Sequence, residues 1–166
     1  MNAAIGITSE EQADIAAIHQ LVAAAFQRSD EANLVDRLRM NGECVISLVA
    51  LDGAEIIGHA LFSKMAAPFL ALGLAPVSVK PIRQRAGIGS QLIRVGLDRA
   101  RQAGWQAVFV LGDPKYYRRF GFDPDLASAF SCRYSGPNLM ALALTTDLPT
   151  SEGVIEYAPV FHSFGE

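Results

Sequence analysis

The stretch IRQRAGIGSQLI, residues 82–93, places two glycines one residue apart, Gly87 and Gly89, where a β-rich run ending at Val79 gives way to helical spacing. From Gly87 onward Ile88, Leu92, Val95, Gly96 and Ala100 fall on one face, while Gln91, Arg94, Asp98, Arg101 and Gln102 fall on the other. That period predicts an amphipathic helix, which Gly104 ends. The buried-looking run AVFVL (107–111) follows it. A strand reached through a helix lies parallel to the strand that precedes the helix, so this one loop dictates a parallel pair within the fold. The first turn of such a helix has backbone N–H groups without intrahelical partners and carries the positive end of the dipole, an arrangement suited to phosphate. A Cβ would hold the anion away from those amides, and glycine has none.

Several phosphate loops share this logic, and the residues separate them. A Walker A loop requires lysine followed by serine or threonine after its last glycine, whereas Ser90 and Gln91 follow Gly89. A dinucleotide fingerprint needs a third glycine where this chain has Leu92, and an acid about 20 residues on where it has Phe109. A structural turn with no ligand is the remaining alternative. Charge argues against it: between Lys80 and Arg119 nine basic residues stand against two acids, a local +7, while the rest of the chain carries −10. A positive field on an acidic protein points to a small polyanion, whereas a general nucleic-acid binder is basic as a whole. Arg94, Arg99 and Arg101 also fit a solvated helix face.

The rest of the chain reads as one unit, 1–166, with 51% apolar and 19% charged residues and no repeat or linker. Ala4 to Ile7 is expected as a short strand, and Thr8 with Glu11 as the capping box of a helix bearing Ile15, Ile18, Val22, Ala25 and Phe26. A second helix is expected from Ser29 or Asp30, with Leu34, Val35 and Leu38 inward. CVISLVAL and EIIGHALFS flank Asp52-Gly53 and predict an antiparallel hairpin. Leu72–Val79 continues the meander, with Pro76 at a bulge or an edge. Asp113-Pro114 opens a short helix carrying KYYRRF, with Asp113 as its cap, and residues 139–144 and 153–157 are further strands. The order is β-α-α-β-β-β-α-β-α-β-β, a mixed α/β (α+β) domain. The N-terminus has no signal-peptide pattern, and the most apolar stretch, residues 65–79, is broken by Pro68, Gly73 and Pro76, short of the ~20 residues of a membrane helix. Cys44 and Cys132 form no CxxC pattern, so neither a disulfide framework nor a metal site is expected, and a cytoplasmic setting is the default. Strands in 123–166 are able to pair between chains, which keeps a homodimer open.

QRAGIG (84–89) matches the Q/R-x-x-G-x-G/A signature of the GNAT superfamily of acyl-CoA N-acyltransferases, and YYRRFGF (116–122) resembles its late Y-x-x-x-G-F element. The pair covers at least residues 4–122 and is most similar to the YhbS-like acetyltransferases. The resemblance implies a mostly antiparallel sheet with helices on both faces, splayed between the fourth and fifth strands. It further implies that acetyl-CoA is the co-substrate, its pyrophosphate wrapped by Gln84, Arg85, Ala86, Gly87, Ile88, Gly89 and Ser90, with Arg83 adding charge. Val77, Ser78 and Val79 would pair through their backbone with the pantetheine arm, and Tyr117 would protonate the departing thiolate, Tyr116 serving for packing.

The activity so implied is direct transfer of acetyl to a primary amine, carried by a small molecule or a peptide. The alternative is an acyl-CoA-binding or regulatory module without catalysis. Glu43, Glu55, Glu31 and His59 are candidates for the general base, with solvent as the alternative. An acyl-enzyme through either cysteine is disfavoured, because neither has a histidine paired with it in the sequence.

Overall fold

The computed structural model describes residues 4–163. Six strands form the main sheet in the order β1-β2-β3-β4-β5-β7: β1 (Gly6–Ser9), β2 (Cys44–Asp52), β3 (Glu55–Lys64), β4 (Ala71–Val79), β5 (Ala107–Leu111) and β7 (Leu139–Ala143). Every neighbouring pair in it is antiparallel except β4 and β5. Helices cover both faces. Ile93, Leu97 and Ala100 of α3 (Ile88–Gln102) meet Phe62, Leu72, Val108 and Met140 on one face. On the other, Ile18 and Val22 of α1 (Ile15–Phe26) pack on Val49, and Leu34 and Leu38 of α2 (Asp30–Met40) share a core with Leu61 and Phe109. Alternation along each strand sends successive residues to opposite faces, which is why neighbours such as Val108 and Phe109 lie in different cores.

Some expectations shift. Thr8 is committed to the β1 ladder opposite Val49, so it caps nothing. The reciprocal role passes to Asp14, whose Oδ2 accepts the Glu11 N–H at 2.8 Å, and a 3-10 turn over Gln12–Asp14 leads into α1. The strand expected over 153–157 shortens to β8 (Gly153–Val154), paired in parallel with β6 (Phe130–Ser131) in a separate small sheet. The segment divides its hydrogen bonds: Ile155 N–H donates to Ser131 and Glu156 N–H to Ala66, so no single ladder continues. A short helix, α5 (Pro124–Ser128), escaped the sequence reading. Its signal was Asp123-Pro124, the same cap-and-proline pair that opens α4 (Pro114–Tyr117).

The parting of β4 from β5 positions the site. They pair only over Ala71–Gly73 with Ala107–Phe109. Ala75 and Pro76 together oppose the single residue Leu61, so β4 bulges where it leaves its parallel partner. β5 stays with β7 as far as Leu111, and β4 runs on to Val79 alongside β3 alone.

Candidate active site

The parted strands open two clefts. One is a groove of about 450 Å³ walled by Val77 and Val79 of β4, by Gln84, Arg85, Gly87, Ile88, Gly89 and Ser90 of the loop and first turn of α3, and by Tyr116, Tyr117 and Arg119. The other, of about 360 Å³, lies between β4, α1, α2 and the C-terminal segment. Val77 and Tyr117 line both.

The backbone of the groove is unusually free. Gly87 N-caps α3 with φ +84°, and the helix's first bond runs from Gln91 N–H to Gly87 C=O at 3.1 Å. Among the described residues, no protein acceptor takes the amides of Arg85 through Ser90. The β4 wall is polar in the same way. Lys80 N–H donates to Ile57 C=O at 2.9 Å, which sets the ladder's phase: Ser78 and Lys80 turn their backbone toward β3, Val77 and Val79 turn theirs into the gap. Gln84 Nε2 donates to the outward Val79 carbonyl at 3.0 Å and so ties the loop to the strand. Ser78 itself is buried, its side chain on the face away from the groove, and Ala86 is exposed outside the groove's lining.

Of the arginines flanking the glycines, Arg83 is held by Asp52 at 2.8 Å, so its charge is already matched. Arg85 lines the groove from a left-handed backbone, φ +65°. Arg119 joins it; its guanidinium lies 4.6 Å above the Tyr116 ring while Nε donates to the Tyr116 carbonyl. Sequence reading missed Arg119 as a groove residue. The signal available was its place in YYRRFGF, three residues after Tyr116 and thus on the same side of a helical turn. The Tyr116 hydroxyl meets Ser90 Oγ at 3.2 Å and stands 3.4 Å from where a Cβ on Gly89 would project. Tyr116 therefore packs and also shapes the groove floor.

Tyr117 is half-buried, edge-on to Tyr116 and Phe122. Burial, with a smaller contribution from Tyr116, pushes its hydroxyl up to about 12, so it keeps its proton at neutral pH. Asp113 is a cap, its Oδ1 accepting from Lys115 N–H at 2.9 Å.

The four base candidates separate clearly. Glu55 pairs with Lys80 at the hairpin, and Glu43 lines neither cleft. His59 is fully buried on the α1 side, where Nε2 meets Ser47 Oγ at 2.8 Å and lies 3.8 Å from Glu10, outside both clefts. Only Glu31 faces a cleft, the second one, where its carboxylate takes a two-pronged bond from Arg28. Burial, then the Glu10 charge, pushes the Cys44 thiol up to about 11, which suppresses the thiolate an acyl-enzyme would need. Among the described residues no cluster of three metal-ligating side chains occurs, and no helix is long and apolar enough to cross a membrane.

Residues 7–124 match the family model described as an acetyltransferase (GNAT) domain. The chain belongs to the GNAT acetyltransferase family. Its GNAT relatives include the N-acetyltransferase YhbS of Escherichia coli K12, itself uncharacterized in activity, which is 33% identical over 158 residues, 91% of this chain and 95% of that one. YjhQ of the same organism, likewise uncharacterized, is 37% identical over 122 residues, 69% of this chain and 67% of its own. The crystal structure of E. coli YhbS in complex with CoA superposes with a TM-score of 0.91 at 33% identity, covering 97% of this chain and 93% of that one. A GNAT acetyltransferase from Brucella melitensis in complex with acetyl-CoA gives 0.80 at 36% identity, covering 95% and 98%. The GNAT architecture accounts for the mixed sheet, the helices on both faces and the parallel β4–β5 pair.

Proposed function

We propose that the protein is an N-acetyltransferase that moves the acetyl group of acetyl-CoA directly to a primary amine. Its membership in the GNAT family and its likeness to relatives solved with CoA and acetyl-CoA support the choice of co-substrate. On this reading the unpaired amides of Arg85–Ser90 receive the pyrophosphate at the N-terminus of α3, with Arg85 and Arg119 adding charge. The outward backbone of Val77 and Val79 pairs with the pantetheine amides as a missing strand would.

The observation that carries the reading is that Tyr117 lines both clefts, one suited to a polyphosphate and the other lined mostly by apolar side chains. A thioester threaded along β4 reaches the second cleft at Val77 and Tyr117. The amine nitrogen attacks the carbonyl, a C–N bond forms, the C–S bond breaks and the sulfur leaves with the electron pair. Backbone N–H groups of β4 facing the gap stabilise the carbonyl oxygen as it gains charge. Because burial disfavours the phenolate, Tyr117 donates to sulfur only as that bond lengthens and recovers a proton from the amine nitrogen. The net transfer is of one N–H proton to the thiol.

Turnover of acetyl-CoA followed by free-thiol release, against a panel of amines, tests the activity. Tyr117→Phe is expected to lower kcat by about a hundredfold and leave the CoA dissociation constant within twofold. Turnover equal to wild type would remove Tyr117 from the chemistry, and thiol release with no amine on the panel would leave a CoA-binding module.

A further inference from the structure

The second cleft also bears on which amine is taken, an inference that rests on the transferase reading. Its walls are apolar: Phe26 and Leu34 from the helices, Leu74 from β4, Leu111 from β5 and Phe161 from the C-terminal turn. Phe26 and Leu111 are 38% and 50% exposed, so the apolar surface extends to the cleft's rim, where a polar acceptor would meet no partner. Besides Tyr117, Tyr134 and Tyr157, the lining carries one carboxylate residue, Glu31, whose side chain is 7% exposed. Its ion-pair partner Arg28 is 50% exposed and sits largely in water. A carboxylate offers about four lone-pair positions, and the Arg28 fork occupies one edge of it. Tyr157, which also lines the cleft, has a buried hydroxyl with no hydrogen-bond partner among the described residues.

We infer that the acceptor is a primary amine carried on an apolar, aliphatic or aromatic body, with Glu31 holding its ammonium group beside Tyr117. A volume of about 360 Å³ suits a small molecule of this kind. Diamines and amino acids would bring a second charge into contact with Phe26, Leu34 and Leu74, where desolvation opposes them. Glu31 is a binding residue in this scheme, setting the position from which the nitrogen, once deprotonated, attacks.

Calorimetry on the full chain saturated with CoA tests this, using 2-phenylethylamine, n-hexylamine, n-butylamine and putrescine. The first two are expected to bind, with affinity falling about fourfold for each methylene removed between hexylamine and butylamine. Putrescine is expected to bind at least tenfold more weakly than hexylamine. Glu31→Gln should weaken 2-phenylethylamine at least tenfold while CoA affinity stays within twofold. A flat chain-length series, putrescine binding as well as hexylamine, an unaffected Glu31→Gln, or no binding of the apolar amines would each overturn the proposal. So would hexanoyl-CoA binding more tightly than acetyl-CoA and displacing hexylamine, since the cleft would then belong to the acyl chain. Apolar amines that bind as expected but release no thiol from acetyl-CoA would count against the catalytic reading and leave the ligand class standing.

Discussion

A Cβ on Gly112 would stand 2.5 Å from the Tyr117 ring, whereas one on Gly89 would enter the groove at ordinary contact distance from Tyr116, Val77 and Val79, 3.4 to 3.8 Å away. Gly87 differs: a Cβ there meets nothing within 4 Å, yet its φ of +84° is one that side chains rarely adopt. The glycines of this site thus act by different means, Gly112 and Gly89 through space and Gly87 through backbone conformation. Gly112→Ala is expected to push the Tyr117 ring aside and lower kcat at least tenfold, with CoA affinity little changed in the same calorimetric assay. Gly87→Ala is expected to cost about 1–2 kcal/mol of stability from left-handed strain, read as a lower denaturant midpoint at constant slope. That Gly87 and Gly89 stand together at a helix start was legible from the loop's spacing, and both line the groove. The need for glycine at 112 was not legible, because only the fold brings the Tyr117 ring over it.

Among the elements, α3 lies so close to the sheet that a Cβ on Gly96 would fall 2.2 Å from the Phe62 ring. Gly96→Ala therefore gains helix propensity of about 1 kcal/mol and is still expected to lose about 1–3 kcal/mol net through overpacking. Urea unfolding of the variant checks the sign; a stabilised variant would mean that the ring has room to yield. The helices and the hairpin were readable because their apolar period is long and uninterrupted. Pro76 likewise announced a bulge or an edge, since its nitrogen has no proton for a ladder, and β4 bulges there. Of the two C-terminal strands, that over 139–144 was read and stands as β7, whereas the extent of the last was not readable: whether the segment 153–157 pairs with one strand or divides its bonds between two depends on neighbours remote in sequence.

Across the molecule, a polar network joins β1, β2, β3 and α2. Glu10 accepts from Arg39 at 2.9 Å and from Ser47, and buried His59 shares that serine. Burial alone would raise the Glu10 carboxyl, but the approach of His59 and the bonds from Arg39 and Ser47 outweigh it and hold the group at about 2. Burial, aided by the Arg39 charge, holds His59 below its ordinary value against the pull of Glu10. Both groups bind protons more readily unfolded than folded, so both contributions fade as pH falls. The His59 contribution is complete above pH about 6.5 and declines below it; that of Glu10 is complete above about 4.5 and declines toward 2. Denaturant midpoints are thus expected to hold between pH 7 and about 6.5 and to drop from there to pH 4, with a shallower slope between 6.5 and 5 in His59→Gln. A wild-type midpoint unchanged between pH 7 and 5 would contradict this. As a lone polar residue in an apolar strand, His59 signalled a need for a partner, but only tertiary packing shows that its partners, Ser47 and Glu10, are structural and lie outside both clefts. The basic window between Lys80 and Arg119 proved to be divided, with Arg83 matched by Asp52 and Arg85 and Arg119 left at the groove.

The loop amides are the proposed seat of coenzyme A, and Gly89→Val tests that most directly, because the residue lies within α3 and its replacement leaves the helix intact while filling the groove. Calorimetric titration with CoA is expected to show at least a hundredfold loss of affinity with thermal stability unchanged. Affinity within twofold of wild type in that folded variant would contradict the assignment of the groove to the cofactor.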